Sequence, residues 1–429
     1  MPRALAADVL EDILFRRKSF DDAFSARTIH RARTSVLASR DRSFSYNLVA
    51  TTLRRLGQID DLIDNCLETP LPGKARGALT ILRLGAAQLL FMNVSDHAAV
   101  NTSVDLAQLR RQGVYKKLIN AILRRLGREG SKMILAQDES RRNTPAWLWD
   151  NWCKAYGEDL TRRIASAHLI PPPLDITVKS NLEEVAEALG GTLLPTGSVR
   201  LQDRPSVEIL PGFDQGDWWV QDTAATLPVK LFPHLKGKRI IDLCAAPGGK
   251  TAQMAAAGAY VTAIDRSEKR IRLLQENMVR LSLDVSCIVE DAVQWRPREA
   301  CDGVLIDAPC SATGTLRRHP DVQWIKSPND VLGVAKIQRA LLEASVGMVR
   351  PGGTIIFATC SLQPEEGPIL IEDFLNSCNN VRRDPLDNDT RFFIPDMITA
   401  DGDLRTFPHF LADYGGMDGF FAARLIRTS

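Results

Sequence analysis

Residues 239–251, which read RIIDLCAAPGGKT, leave little freedom to the chain around them. Ile240, Ile241 and Leu243 form a short apolar run broken only by Asp242. A turn follows at Pro247, Gly248 and Gly249, and Lys250 and Thr251 open an Ala-rich segment over 252–257. A strand, a tight glycine turn and a helix in that order make the first β-α crossing of a ligand-binding α/β sheet. Glycine lets backbone come close to a ligand, and the helix start presents unpaired N–H groups.

The identity of the ligand follows from what is missing. A phosphate loop of the Gly-x-x-x-x-Gly-Lys-Thr type needs glycine where Cys244 stands, and Gly-x-Gly-x-x-Gly is absent. The next strand, over 260–265, closes on Asp265, where a carboxylate can accept hydrogen bonds from both hydroxyls of a ribose. A ribose without phosphate points to S-adenosylmethionine. The competing reading is the Gly-rich first turn of any α/β domain.

With 429 residues the chain has length for two or three domains, each with its own core. Its 45% hydrophobic and 25% charged residues are those of a folded globular protein, and no apolar run is long enough to span a bilayer. Eight cysteines without paired metal spacing read as reduced thiols of a cytoplasmic protein with no metal site. The net charge of +2 conceals an asymmetry: residues 1–130 hold 21 Lys and Arg against 13 Asp and Glu, a net of +8, which leaves −6 for the remainder. A basic segment joined to an acidic one points to a polyanion partner, most simply nucleic acid; a solvated Arg-rich helical surface is the alternative.

Helical periodicity runs through 2–130 and predicts an all-α bundle. The polar stretch 131–145 reads as a linker. Residues 146–235 read as a small α+β domain, with a helix over 150–167, strands over 174–178 and 207–210, and a helix over 182–189 between them. From 236 to 429 strands and helices alternate, which predicts a parallel sheet covered by helices on both faces and a ligand at the carboxyl ends of its strands. Asp242, Asp265, Asp291, Asp307 and Cys360 fall at or just beyond such ends.

Two of the cysteines share this rim. Cys310 follows the strand that closes on Asp307, and Cys360 follows the next. Thiols beside a methyl donor point to attack on an electron-poor ring. Carbon 5 of a pyrimidine becomes enamine-like, and able to take a methyl group, once a thiolate has added to carbon 6. A redox pair or two buried thiols are the plainer readings. Asp307 is placed to hydrogen-bond N3 of the ring or the amino group of the cofactor's methionine part, and the two roles are compatible. Asp291 reads equally as an acceptor for the adenine amine or as a helix cap. Lys250 is placed to face negative charge near the ring or on the cofactor carboxylate.

Taken together, LCAAPGGKT (243–251), DAPCSATGT (307–315), ATCSL (358–362) and DGFFAARL (418–425) resemble the RNA 5-methylcytosine methyltransferases. HAAVNTSVDLA (97–107) and KLINAILRRL (117–126) resemble the NusB-like RNA-binding domain, and the combination is similar to the bacterial 16S ribosomal RNA cytosine-C5 methyltransferases. The resemblance covers nearly the whole chain. It implies an α/β Rossmann-like class I methyltransferase catalytic domain, preceded by a NusB-like bundle and a small α+β domain. It makes Cys360 the nucleophile and Cys310 the residue that releases the methylated base. It gives S-adenosylmethionine binding to Cys244, Ala245, Ala246, Pro247, Gly248, Gly249 and Lys250, and to Asp265, Asp291 and Asp307. The substrate it implies is 16S rRNA; the expectation of a monomer is separate from the resemblance. Transfer RNA or 23S rRNA as substrate, or a catalytically silent RNA-binding factor, are the alternatives. Two positions depart from the family: Ala312, where many members carry Gly, and the run Thr177, Val178, Lys179 and Ser180, where an Arg-Val-Asn signature is common.

Overall fold

The computed structural model describes residues 2–32, 38–202, 206–386 and 394–429. They fall into two compact units, Met1–Ile170 with Leu316–Ser327, and Pro171–Thr315 with Pro328–Ser429.

The first unit is helical. Its helices include Pro2–Arg16, Ser39–Arg54, Arg76–Phe91, Asp96–Leu109 and Lys116–Leu135. In the first of these, Leu5, Val9, Leu10 and Ile13 lie on one face and are fully buried, as a 3.6-residue repeat requires. The stretch 131–145, expected as a linker, instead completes helix Lys116–Leu135 and forms helix Glu139–Arg142. Its polar side chains are held by other polar side chains. Asn143 accepts from the Gln58 backbone N–H at 3.1 Å and donates to Gln58 Oε1 at 2.8 Å, and Gln137 donates to Asp61 at 2.7 Å. The helix expected over 150–167 is two helices, Ala146–Tyr156 and Glu158–His168, because Gly157 at φ 82° interrupts them. Both belong to the helical unit.

That unit also takes in 316–327 from the later part of the chain. Asp321 accepts from the Phe20 backbone N–H at 2.9 Å, Arg54 donates to the Arg317 carbonyl at 2.8 Å, and the Trp324 indole donates to the Leu53 carbonyl at 2.8 Å. Trp324 and Ile325 pack against the bundle core.

The second unit begins with strands β1 (Leu174–Val178), β2 (Thr192–Leu193), β3 (Val199–Leu201) and β4 (Trp218–Val220) in an antiparallel sheet of order β2-β3-β1-β4. The strand expected over 207–210 is a short 3₁₀ turn, Val207–Ile209. A fully buried ion pair crosses β1 and β3: Arg200 holds Asp175 at 2.6 and 2.7 Å and donates to the Gly416 carbonyl at 2.6 Å, while Asp175 also accepts from Thr223 N–H at 3.0 Å. Burial raises the Asp175 carboxyl above its ordinary value, against the pull of Arg200. Arg200→Ala would strand that carboxylate and is expected to cost about 3–5 kcal/mol, seen by calorimetry as a lower melting temperature for this unit's transition.

The larger sheet comprises β5 (Arg239–Leu243), β6 (Tyr260–Asp265), β7 (Val285–Val289), β8 (Cys301–Asp307), β9 (Val349–Thr359), β10 (Val381–Arg383), β11 (Leu404–Thr406) and β12 (Phe420–Arg427). Its order is β10-β12-β9-β8-β5-β6-β7, with β11 paired to β12. Strands β5 to β9 pair in parallel. The sheet is nevertheless mixed, since β12 runs antiparallel to β9, β10 and β11. The expectation of a parallel sheet fails at β12 because the described connection from β11 to β12 holds no crossover helix, and only a crossover imposes parallel direction. The chain starts in the middle of the sheet at β5, runs outward through β6 and β7, then returns to build β8 and β9 on the other side. This reversal opens a crevice at the carboxyl ends of β5 and β8. Among the described residues, no helix is long and apolar enough to cross a membrane.

Candidate active site

Register aligns the strand ends. Leu243 pairs with Ile264 on one side and with Ile306 on the other, so Cys244, Asp265 and Asp307 leave the sheet at one level; Asp307 pairs in turn with Ala358, two residues before Cys360. Beyond Leu243 the chain turns sharply, with Cys244 at φ 61° and Gly248 at φ 102°. A Cβ on Gly248 would come within 2.8 Å of Leu274, so this turn demands glycine for both conformation and space. Asp242 is not at the rim. It is fully buried in β5, where it accepts from Thr251 Oγ1 at 2.5 Å and braces the turn against the helix Gly249–Ala256; burial pushes its carboxyl up to about 7.

Helix Gly249–Ala256 carries Lys250 inward, and its ammonium meets Asp307 Oδ2 at 2.8 Å and stands 5.0 Å over the Phe420 ring. Asp265 is buried at the end of β6, accepts from Ser267 N–H at 3.0 Å and lies 3.1 Å from Arg270, which also donates to the Ala246 carbonyl of the glycine turn. Burial, followed by the charges of Asp265 and Asp307, pushes the Cys244 thiol up to about 12, so it stays protonated. Asp291 stands apart. It is exposed, and its Oδ1 accepts from Val293 N–H at 2.9 Å, the local turn closure of a capping residue.

The two rim cysteines meet, with Cys310 Sγ 3.3 Å from Cys360 Sγ. Backbone bonds fix their loops: Ala308 N–H to the Ala358 carbonyl at 2.9 Å, and Gly314 N–H to the Cys360 carbonyl at 2.9 Å. The contact with Cys310, then burial and the Asp307 charge, push the Cys360 thiol well above the ordinary thiol range, while Lys250 pulls it down. Between them, Ala312 adopts φ 58°. This left-handed conformation accounts for glycine being common there and costs an alanine about 1 kcal/mol.

Sequence reasoning passed over the residues beneath this pair. Glu366 is fully buried, and its carboxylate accepts from Ser311 N–H at 2.8 Å, Gln338 Nε2 at 3.0 Å and Ser361 Oγ at 2.9 Å. The signal was its place six residues after Cys360, in a Pro-Glu-Glu turn that reads as surface. A cavity of about 330 Å³ lined by Arg239, Tyr260, Trp295 and Cys301 lies at the opposite, amino-terminal ends of the strands.

A sheet wound outward from its first strand, with a glycine turn and acids at its carboxyl edge, is the Rossmann-like fold of the class I methyltransferases. The family model described as 16S rRNA methyltransferase RsmB/F matches residues 229–426, and that of the NusB family matches residues 1–128. The chain is 33% identical to ribosomal RNA small subunit methyltransferase B of Klebsiella pneumoniae, over 87% of this chain and 89% of that one. It is 31% identical to the protein of the same name from Pseudomonas putida, over 100% and 99%. The crystal structure of PH0851 superposes on it with a TM-score of 0.75 at 22% identity, covering 100% of this chain and 99% of the other. NSun6 from Pyrococcus horikoshii, solved with SFG, gives a TM-score of 0.57 at 19% identity over 66% of this chain and 98% of that one. The chain belongs to the RsmB/F family of rRNA methyltransferases and carries a NusB family domain at its N-terminal end.

Proposed function

We propose that this protein methylates carbon 5 of a cytosine in 16S ribosomal RNA, using S-adenosylmethionine and a transient bond between Cys360 and carbon 6 of the base. The observation that carries this reading is the pair of thiols 3.3 Å apart on adjacent strand ends, next to the Lys250–Asp307 pair. The substrate class follows the relatives, which are named for the small-subunit ribosomal RNA.

The cofactor fits the residues of the rim. Asp265 Oδ2 is buried and accepts no hydrogen bond from the described residues, although Arg270 is 3.1 Å away. An acceptor left open in this way suits a ribose hydroxyl. Cys244, Ala245, Ala246, Pro247, Gly248, Gly249 and Lys250, with Asp265, Asp291 and Asp307, are the residues assigned to hold S-adenosylmethionine, which when bound supplies the methyl group.

The protein's own part is to activate the base and let it go. The Cys360 thiolate adds to carbon 6, and Asp307 stabilises the proton gained at N3 while Lys250 holds that carboxylate in place. Carbon 5, now enamine-like, is alkylated. A base then takes the carbon-5 proton, the electron pair of that bond restores the 5,6 double bond and expels Cys360 as thiolate, and N3 gives back the proton it gained. Cys310, in contact with the departing sulfur, is the group at the rim placed to receive the carbon-5 proton.

The net +8 of residues 1–130 supplies phosphate contacts, which carry affinity but no sequence information. The protein acts as a monomer in the cytoplasm. Asp265→Ala is expected to remove hydrogen bonds of roughly 1.5–3 kcal/mol each to a charged acceptor. Calorimetric titration should therefore show a cofactor dissociation constant raised by at least about tenfold, and an unchanged constant would take Asp265 out of the site. The reaction itself is tested by incubating the protein with tritiated S-adenosylmethionine and unmethylated 16S, 23S or transfer RNA, followed by nucleoside analysis. Label in 5-methylcytosine from 16S RNA alone is the expected result. Label in another RNA would move the target, and no label with bound cofactor, on free RNA and on assembling subunits alike, would leave an RNA-binding factor.

A further inference from the structure

Backbone bonds alone do not explain why two thiols on separate loops are held in contact. The residue that follows each cysteine is a serine, and both serines converge on one carboxylate. Ser311 N–H donates to Glu366 Oε2 at 2.8 Å and Ser361 Oγ donates to Glu366 Oε1 at 2.9 Å. Gln338, from helix Pro328–Val346, donates to Oε2 at 3.0 Å and to the Pro309 carbonyl at 2.9 Å, so it grips the first loop on the other side of Cys310. Ser311 and Ser361 also touch directly, at 3.0 Å between hydroxyls. On the second loop Arg405 donates to the Ser361 carbonyl at 2.7 Å, and Thr359 Oγ1 donates to the Glu366 carbonyl at 3.2 Å. Glu366, Gln338, Ser311 and Ser361 are all fully buried.

We infer that Glu366 is a positioning residue that sets the distance between Cys310 and Cys360 by tying together the residues that follow them. The inference rests on the reading of those cysteines as release group and nucleophile. Burying a carboxylate is expensive unless every oxygen is engaged, and here three donors engage it, two of them on the loops that carry the reaction. Burial raises the Glu366 carboxyl, and the donors from Ser311, Ser361 and Gln338 oppose that shift. Release requires Cys310 at the sulfur of Cys360 while the base is attached, so a loss of alignment acts on both halves of the cycle.

The test compares Glu366→Ala and Glu366→Gln in the full chain, with two readouts. Phenylarsine oxide bridges two thiols that stand side by side, forming two As–S bonds with loss of water, and so reports the contact without RNA or cofactor. In Glu366→Ala its affinity should fall by roughly 100-fold as one of two linked bonds is lost. Single-turnover methylation should fall on the order of 100-fold for a displacement of about 1 Å, with cofactor and RNA dissociation constants unchanged, while the buried donors left without their acceptor lower the melting temperature. Glu366→Gln keeps an acceptor for Ser311 and can donate to Ser361, so it should restore most of both signals. Wild-type arsenical affinity in a slow Glu366→Ala protein would overturn the inference, and so would a full methylation rate. A joint loss of melting temperature and cofactor affinity, not rescued by Gln, would reduce Glu366 to a structural role. If the Ala protein does not fold, Glu366→Asp, which withdraws the carboxylate by one methylene, is put through the same two measurements. A wild-type protein that makes no 5-methylcytosine would sink the proposed reaction, yet the arsenical result would still decide the role of Glu366.

Discussion

Cys360→Ala is expected to abolish methyl transfer, with a rate loss of roughly 10⁴- to 10⁶-fold as is usual when a nucleophile is removed, and to leave cofactor affinity at the wild-type value. Its sulfur is reached through the loop after β9, whereas the residues assigned to the cofactor lie at or just after the ends of β5, β6, β7 and β8. A tritium-transfer assay on 16S RNA beside calorimetric titration separates the two effects. Turnover near wild type would reassign the nucleophile. The wild-type pH profile offers a second check. Cys360 is pushed well above the ordinary thiol value of 9.0 by Cys310 and by burial, so its thiolate is the minor form near neutrality. The logarithm of kcat/KM should therefore climb with unit slope from neutral into alkaline pH. A plateau already reached at neutral pH would place the controlling ionisation elsewhere.

Cys310→Ala should produce the opposite failure. Attack and alkylation need only Cys360, so the base is captured and methylated, but the step that frees it loses the thiol 3.3 Å from the bonded sulfur. The expected product is a protein–RNA adduct that survives denaturing electrophoresis and carries the tritium label. The Cys310→Ala, Cys360→Ala double substitution should form none. A Cys310→Ala protein that turns over normally and leaves no adduct would remove this cysteine from the release step.

The order in which the site became legible has a physical basis. Strand ends could be read because an apolar run that stops at Asp or Cys is the pattern of a buried strand emerging at a polar rim, and the Pro-Gly-Gly turn fixed where β5 gives way to a helix. Asp291 shows how far that logic reaches. A strand end puts its carboxylate at the rim but does not say what it binds there, and the bond from Val293 N–H to its Oδ1 is the capping half of its two readings. Glu366 was out of reach because its burial depends on three donors brought from elsewhere in the chain, and a carboxylate in a Pro-Glu-Glu turn looks solvated in one dimension. The stretch 131–145 failed for the same reason. Gln58, Gln137 and Asn143 satisfy one another between helices, and composition counts them only as polar. The direction of β12 was likewise invisible, since apolar alternation is the same in either sense.

The excursion 316–327 has a consequence for how the protein comes into being. Helical residues through Ile170 leave the ribosome first, but Asp321, Trp324 and Ile325, which complete the contacts with Phe20, Leu53 and the bundle core, emerge only after β5 to β8 have been made. Vectorial synthesis therefore delivers the bundle with its last layer missing and supplies that layer from the middle of the catalytic sequence. No single cut separates two intact modules. A helical fragment ending at Ile170 lacks its Trp324 cover, and a catalytic fragment starting at Pro171 carries an indole and an isoleucine that have lost their apolar bed.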